Sequence, residues 1–130
     1  MGAMAVLGLR HLALNVTDPQ ASKRFYADCF GMRVVWEPDA DNVYLSSGPD
    51  NLALHRRAAA SAGALDHLGF VVDSRDEVDR LRVRFAELGV QIAAEPRDHR
   101  DGSRSFYCLD PDGVRIQVLY EPTLSKQRIT

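Results

Sequence analysis

The sequence predicts an α+β fold built from two tandem βαβββ modules. Residues 9–16 and 65–72 share Leu, His, Leu and Val at equivalent positions, 56 residues apart. Each phrase leads into a segment with helical periodicity that ends at a glycine, and three strand-like runs follow that glycine. An internal repeat of this length indicates that one supersecondary unit occurs twice. The repeat places His11 and His67 at equivalent points, where a functional site is first sought.

Neither module alone has enough sheet to cover its helix and protect its edge strands. We therefore expect the two sheets to associate into one open, barrel-like sheet with the helices outside. The expected organisation is a single domain over residues 1–130, with modules at 5–57 and 64–121 and a flexible tail at 122–130. An alanine-rich segment, 57–63, is expected to link the modules.

The first module opens with a strand, because apolar and small polar residues alternate over residues 9–16. The apolar face suits packing against a helix, and the other face suits the wall of a cavity. That second face carries His11, Ala13 and Asn15. Asp18 is a capping carboxylate, and Pro19 stands at the first helical position, where its missing N–H costs nothing.

The first helix is expected to run to about Phe30 and to end at Gly31, which tolerates a left-handed backbone. Its expected buried face consists of Ala21, Phe25 and Cys29 or Phe30. Three short strands are expected at residues 32–36, 42–46 and 51–56, separated by turns at 38–39 and 48–51.

The second module repeats this order. Ser74 and Glu77 form a capping-box pattern, in which the serine caps the helix and the glutamate reaches back. The expected buried helical face is Val78, Leu81, Phe85 and Leu88, with Gly89 closing the helix. Three strands are expected at residues 91–95, 103–109 and 114–120, with a tight turn at 110–113. The charged segment 97–103 is expected to be a solvated loop or a lid carrying His99 and Arg100.

Composition excludes several classes of protein. The net charge of −2 leaves no electrostatic footprint for nucleic acid. No apolar run approaches the roughly 18 residues that a membrane span needs. Two cysteines, Cys29 and Cys108, match no metal-binding spacing or disulfide framework, and are expected to be buried apolar residues rather than nucleophiles. A small-molecule partner and a cytoplasmic location are therefore expected.

Several phrases together resemble the vicinal oxygen chelate superfamily. They are the His11 strand leading to Asp18-Pro19, then Phe25-Tyr26, Gly31-Met32, Asp66-His67, and Ser105-Phe106-Tyr107 before Asp110-Pro111-Asp112-Gly113. The superfamily includes glyoxalase I, methylmalonyl-CoA epimerase, extradiol dioxygenases, fosfomycin-resistance thiol transferases and bleomycin-binding proteins. The resemblance covers residues 9 to about 121 and specifies a glyoxalase-like fold more closely than a reaction.

The resemblance implies a divalent metal site, for Zn, Ni, Mn or Fe. Members commonly place four ligands on the first and last strands of each half, and here those positions hold His11, Ala53, His67 and Gln117. Ala53 cannot ligate, and Gln117 replaces a frequent glutamate with a weaker, neutral donor that cannot act as a base. The implied ligands are therefore His11, His67 and Gln117, although Gln117 could instead form hydrogen bonds with His67 or a ligand. His55 is either a third imidazole ligand or a surface residue.

The candidate substrate-binding residues are Arg115, Tyr107, Asn15 and His55. Arg115 shares a strand face with Gln117 and could bind an anionic group or pair with an acidic residue of the cleft. Tyr107 is either a core aromatic or, as in the resembling thiol transferases, a residue facing the substrate. Trp36 and Tyr44 are expected to pack on the first sheet, or to stack on a flat ligand in a binding protein.

Two functions follow from the resemblance. The first is a metal-dependent lyase, isomerase, dioxygenase or thiol transferase acting on a small oxygenated molecule, with the metal as Lewis acid and no residue assigned as general base. The alternative is a non-catalytic, metal-free protein that binds an antibiotic of the bleomycin type and confers resistance. The histidine pair favours the enzyme, whereas Ala53 and Gln117 favour the binding protein. The resemblance also implies a homodimer.

Overall fold

The computed structural model describes residues 9–58 and 65–125. The chain divides between residues 59 and 60 into two compact units. Each unit has the element order βαβββ and a four-stranded sheet, so the predicted fold class is confirmed. The predicted linker lies largely outside the described residues, as do residues 126–130 of the predicted tail.

The first unit contains four strands and one helix among its described residues. They are β1 (His11–Val16), α1 (Pro19–Phe30), β2 (Arg33–Asp39), β3 (Asn42–Ser46) and β4 (Asn51–Arg56). The strand order is β1-β4-β3-β2, with β1 parallel to β4 and the other pairs antiparallel. Leu14, Val16, Val43, Leu45, Leu52 and Leu54 are buried on one face of the sheet, and α1 packs against β3 and β4. The opposite face of β1 and β4 is left for a site.

Helix α1 has the predicted bounds but not the predicted buried face. Asp18 Oδ1 accepts hydrogen bonds from the Gln20 and Ala21 N–H groups at 3.1 and 3.4 Å, and Gly31 ends the helix with φ of 67°. The buried residues are Pro19, Ser22 and Tyr26, whereas Ala21, Phe25, Cys29 and Phe30 are half-buried. The predicted face has the more apolar row of side chains, which includes Ala21 and Phe25. The helix instead buries the row one position later, which includes Ser22 and Tyr26.

Strand β2 continues past the predicted end at residue 36 and includes Pro38. It lies at the edge of the sheet, and its pairing with β3 shifts register twice, which removes the need for a ladder N–H at the proline. The predicted turn at 38–39 is therefore wrong. Instead, Asp39 Oδ1 accepts from the Asp41 N–H and the Asn42 amide at 2.9 Å each, and this closes the turn two residues later.

The second unit repeats the arrangement. Its elements are β5 (Leu68–Val71), α2 (Arg75–Glu87), β6 (Ile92–Asp98), β7 (Arg104–Leu109) and β8 (Arg115–Tyr120). The order is β5-β8-β7-β6, with β5 parallel to β8. Its core consists of Val78, Phe85, Phe106, Cys108, Ile116 and Val118, all fully buried. The opposite faces of β7 and β8 carry Ser105, Tyr107, Arg115 and Gln117.

The capping box of α2 is only half formed. Ser74 Oγ accepts from the Glu77 N–H at 3.2 Å, but the Glu77 carboxylate pairs with Arg80 instead of reaching back. Leu88 does not join the buried face. It lies beyond the last helical residue and is 41% exposed. Val78 and Phe85 are buried as predicted, whereas Leu81 is half-buried.

Two predicted loops are more ordered than expected. Strand β6 extends to Asp98, so the segment 97–103 shrinks to a tight turn in which the His99 N–H donates to the Ser103 carbonyl at 2.8 Å. The predicted flexible tail begins with a turn, since the Ser125 N–H donates to the Glu121 carbonyl at 2.8 Å and Ser125 is buried. The predicted turn at 110–113 is confirmed by the Gly113 N–H, which donates to the Asp110 carbonyl at 3.0 Å.

Candidate functional site

In the first unit, the parallel pair β1–β4 brings several of the candidate residues together. His11 lies opposite Asn51, Ala13 opposite Ala53, and Asn15 opposite His55. Ala53 is buried and brings no donor atom to the face. The polar group next to His11 therefore comes from Asn51. The repeat does not single out Asn51, because in the sequence it is simply an asparagine that begins a strand after a turn.

His11 is held by Asn51. Its Nδ1 lies 2.9 Å from Asn51 Oδ1. An amide oxygen can only accept, so in the neutral imidazole Nδ1 carries the proton and Nε2 has the free lone pair. The exposed imidazole thus presents Nε2 as the ring atom able to bind a metal ion.

His67 is held in the same way by its neighbour in the chain. Its Nδ1 lies 2.6 Å from Asp66 Oδ2, and a carboxylate also only accepts. This hydrogen bond is the main cause that lowers the pKa of Asp66, with a smaller electrostatic contribution from Arg115. The imidazole meets the Tyr107 ring edge to face, with ring centroids 5.4 Å apart. His67 precedes β5 rather than lying in it, as the strand begins at Leu68.

Gln117 lies opposite Gly69 on β5 and Tyr107 on β7. Its amide Nε2 donates to Ser105 Oγ at 3.1 Å, so the hydrogen-bond partner is Ser105 rather than His67. The amide oxygen lies on the Gly69 side, where a Cβ on that glycine would sit 3.7 Å from Oε1. Gln117 is therefore oriented to offer its oxygen as an acceptor or a neutral ligand.

Ser105 and His99 support this orientation and were missed as site residues. Ser105 is 1% exposed, and its Oγ also lies 2.8 Å from His99 Nε2. The available signal was the alternation of β7, which puts Ser105 on the same face as Tyr107. The lid interpretation placed His99 on a loop, whereas the short turn after β6 directs it to Ser105.

A cavity of about 340 Å³ opens on this face of the second sheet. Its lining consists of Asp66, Ala94, Glu95, Arg97, His99, Ser105, Tyr107 and Arg115. The Arg115 guanidinium lies over the Tyr107 ring, 4.5 Å from its centroid. Arg115 was predicted either to bind an anionic group or to pair with an acidic residue, and the stack on Tyr107 was not predicted. Within residues 9–58 and 65–125, Arg115 forms no ion pair. We call this cavity the Tyr107 pocket.

The corresponding face of the first sheet carries an aromatic cluster. Trp36 stacks on Tyr44 with centroids 4.9 Å apart, and Tyr44 meets His55 at 5.7 Å. Trp36 thus packs on the first sheet, as one of the two expectations has it, but it is 58% exposed because it lies on the edge strand β2. His55 donates from Nδ1 to Asn42 Oδ1 at 2.7 Å and belongs to this cluster, about 13 Å along β4 from the partner of His11.

Comparison with known proteins defines the family. A family model described as the Glyoxalase/Bleomycin resistance protein/Dioxygenase superfamily matches residues 8–118. The chain belongs to this superfamily. A solved structure of lactoylglutathione lyase from Agrobacterium tumefaciens superposes with a TM-score of 0.77 at 26% identity, covering 93% of this chain and 98% of that one. The predicted glyoxalase-like fold is therefore confirmed.

Curated relatives within the superfamily differ in activity. A trivalent organoarsenical cleaving enzyme from Bacillus sp. (strain MD1) is 29% identical, over 92% of this chain and 77% of the relative. The metallothiol transferase FosB of Lysinibacillus sphaericus (strain C3-41) is also 29% identical, over 88% and 82%. A 2,2',3-trihydroxybiphenyl dioxygenase from Sphingomonas paucimobilis is 28% identical, and the match spans only 42% of its length.

Members of the superfamily bind small molecules, often with a divalent metal, and commonly form dimers. In the described part of this chain, no group of three His, Cys, Asp or Glu side chains is gathered as a metal site. Within its own unit, each of His11 and His67 has donor chemistry that suits a divalent ion, because a side-chain oxygen holds its Nδ1. No helix in the described residues is long and apolar enough to cross a membrane.

Proposed function

We propose that this superfamily member is a metal-dependent enzyme that acts on a small oxygenated molecule, with His11 and His67 as metal ligands. The observation that carries the proposal is that the two imidazoles are held by hydrogen bonds of the same kind. Each Nδ1 is held by a side-chain oxygen, which leaves Nε2 as the ligating atom. Metal-binding histidines typically have such a partner, since it fixes the tautomer and orients the ring.

The chemistry of the reaction follows from what these residues can and cannot do. A bound divalent ion would supply Lewis acidity toward a substrate oxygen. Gln117 would offer its amide oxygen as a weak ligand or as an acceptor for a substrate hydroxyl, and it cannot remove a proton. Without the frequent glutamate, the general base stays unassigned. Lyase, isomerase, dioxygenase and thiol-transfer chemistry therefore all remain within the proposal.

The residues proposed to contact the substrate come from both sheets. Tyr107 and Arg115 line a cavity whose volume, about 340 Å³, suits a small molecule. Asn15 and His55 are register partners on the first sheet and are proposed to contact the substrate there. We also propose a homodimer and a cytoplasmic protein. All seven residues of the edge strand β2 are exposed in the single chain, which supports a surface for a second copy.

A second candidate function is the non-catalytic binding of a flat, antibiotic-like molecule. It is favoured by Ala53, which brings no donor, and by the exposed Trp36 ring stacked on Tyr44. Such a protein needs apolar walls and few polar anchors, and it needs no metal.

Metal counting separates the two functions. Untagged protein would be loaded in turn with Zn, Ni, Mn and Fe(II), desalted, and analysed for bound metal per chain by mass spectrometry. We expect near-stoichiometric metal in the wild type and loss in both His11→Ala and His67→Ala. Asp73→Ala, which removes an exposed side chain outside the pocket lining, is the control and should retain metal, while His55→Ala tests the alternative third imidazole. If no wild-type sample retains metal, the enzyme proposal fails, and aromatic antibiotics would be screened by thermal shift.

A further inference from the structure

We propose that the substrate carries an oxyanion, a carboxylate or a phosphonate-type group, that binds between Arg115 and Arg97 in the Tyr107 pocket. This inference deepens the proposed function, because it names the class of molecule that the same site would take. It rests on three features of the second unit: a stacked guanidinium, a register shift in β6, and a lining glutamate that is already paired with an arginine.

Arg115 is held in position without being neutralised. One face of its guanidinium is covered by the Tyr107 ring at 4.5 Å, and this contact restricts the plane of the fork. Within the described residues no carboxylate forms an ion pair with it. A stacked guanidinium keeps its edge N–H groups available, and their geometry matches the two oxygens of a carboxylate or phosphonate.

Arg97 reaches the same pocket because β6 is irregular. Ala94 pairs with Tyr107 and Arg97 pairs with Ser105, so three residues on β6 span two on β7. In a regular strand, residues three apart face opposite sides of the sheet. The register shift between Ala94 and Arg97 reverses that alternation, and both residues line the pocket. A bulge that turns an arginine toward a cavity is typical of a strand shaped for binding.

The acidic residues of the lining are engaged elsewhere. Glu95 accepts two hydrogen bonds from Arg82, at 2.6 and 2.8 Å, and this pairing lowers the pKa of Glu95. Asp66 is bound to His67 at 2.6 Å. Arg97, like Arg115, has no ion pair in the described part of the chain. Asp66 keeps its negative charge beside the neutral imidazole, and Arg115 helps to lower its pKa. The two guanidiniums outnumber this one carboxylate, so a net positive charge is left for a ligand.

The pocket belongs to one half of the repeat. Leu12 and Leu68 are equivalent in the repeat, and their strand partners are Leu52 and Ile116. The residues just before those partners are Asn51 and Arg115, so Asn51 is the equivalent of Arg115. The first sheet thus has the same parallel strand pair, but an uncharged asparagine in place of the arginine at this position. An anionic group would be recognised by the second half alone.

The test measures anion binding by the full chain, metal-free and metal-loaded, by thermal shift and isothermal calorimetry. The probes are inorganic phosphate, methylphosphonate and benzoate, compared with sodium chloride at equal ionic strength. We expect saturable stabilisation by at least one probe. Arg115→Gln and Arg97→Gln should each weaken it roughly tenfold or more, and Arg115→Lys should weaken it less, because the charge stays while the fork is lost. Arg100→Gln, an exposed arginine outside the pocket lining, is the control.

The outcomes separate this inference from the metal proposal. If His67→Ala loses metal but still binds the anion with wild-type affinity, the oxyanion site stands by itself. If no probe acts beyond chloride, or if both pocket variants bind as the wild type does, the inference is overturned whatever the metal content. The ratio of phosphonate to benzoate affinity then assigns the class, since a tetrahedral and a planar group would fit the two guanidiniums differently.

Discussion

Exchanging the hydrogen-bond partners of the two histidines should change the metal affinity of the protein in opposite directions. Asp66→Asn would give His67 the neutral amide partner that His11 already has, and Asn51→Asp would give His11 a carboxylate. A carboxylate partner makes an imidazole a better donor to a metal ion than an amide does. We therefore expect Asp66→Asn to weaken metal binding and Asn51→Asp to strengthen it.

The structure sets the size of the effect near the lower end of the usual range. Loss of such a partner typically costs about 10- to 100-fold in metal affinity. The Asp66 side chain is 90% exposed, so water partly replaces it, and asparagine keeps an acceptor at the same place. Asp66→Asn should thus weaken binding about tenfold, and Asp66→Ala more strongly. Asn51→Asp should improve binding by a similar factor, and the double exchange should lie near the wild type.

Competition with a calibrated zinc indicator at constant pH would give the affinities. Asp73→Asn is a suitable control, because it removes an exposed aspartate of the same unit that lies outside the pocket lining. Unchanged affinity in both Asp66→Asn and Asn51→Asp would refute the reasoning, as would a gain in the former.

Three further changes test the scaffold. Phe85→Ala removes a fully buried ring that meets Phe106 at 5.7 Å, and should lower the free energy of unfolding by about 3–5 kcal/mol in urea titrations. Gly31→Ala forces a Cβ onto a backbone with φ of 67°, and should cost about 1–2 kcal/mol in the same assay. Arg104→Gln should lower the urea midpoint at pH 7, because Arg104 is the main cause that lowers the pKa of Asp98. A lowered carboxylate pKa stabilises the fold above the ordinary pKa, so the difference from wild type should vanish as the pH falls from about 5 toward 2.

Each scaffold prediction has its own contrary result. Gly69→Ala meets only ordinary contacts and has no positive φ, so a loss equal to that of Gly31→Ala would argue against backbone strain. A pH-independent effect of Arg104→Gln would mean that the residue acts by packing rather than through its carboxylate partners. A loss below about 1 kcal/mol in Phe85→Ala would mean that the core of the second unit relaxes around the missing ring.

The fold could be predicted because the repeat, the caps and the turns are local signals. Asp18, Ser74 and the glycines after each helix act within a few residues, and strands β3 and β4 begin and end where expected. The errors arose where distant residues decide. The face buried by α1 depends on the packing of Tyr26 rather than on its own periodicity, and the length of β2 depends on the register shifts that accommodate Pro38.

The site was less predictable because its contacts cross between strands. His11, His67 and Gln117 could be proposed from the repeat, but Asn51 lies 40 residues from His11, and Ser105 lies 12 residues from Gln117. Those hydrogen bonds depend on strand register, which a single sequence does not specify. Arg97 was likewise predicted to lie in a loop. It reaches the pocket face because of an extra residue in β6, whereas regular alternation from Ala94 would put Arg97 on the other face.

The divergence of the two halves is itself informative about the ligand. Tyr44 and Tyr107 occupy equivalent positions, each opposite a position where family members commonly place a ligand, held here by Ala53 or Gln117. In the first half the tyrosine stacks on a tryptophan, and in the second it stacks on a guanidinium. A molecule that touched only apolar walls would need no such difference, since either aromatic pair would serve. The second half therefore offers a ligand both an aromatic ring and a charged edge at this position, whereas the first half offers aromatic rings alone.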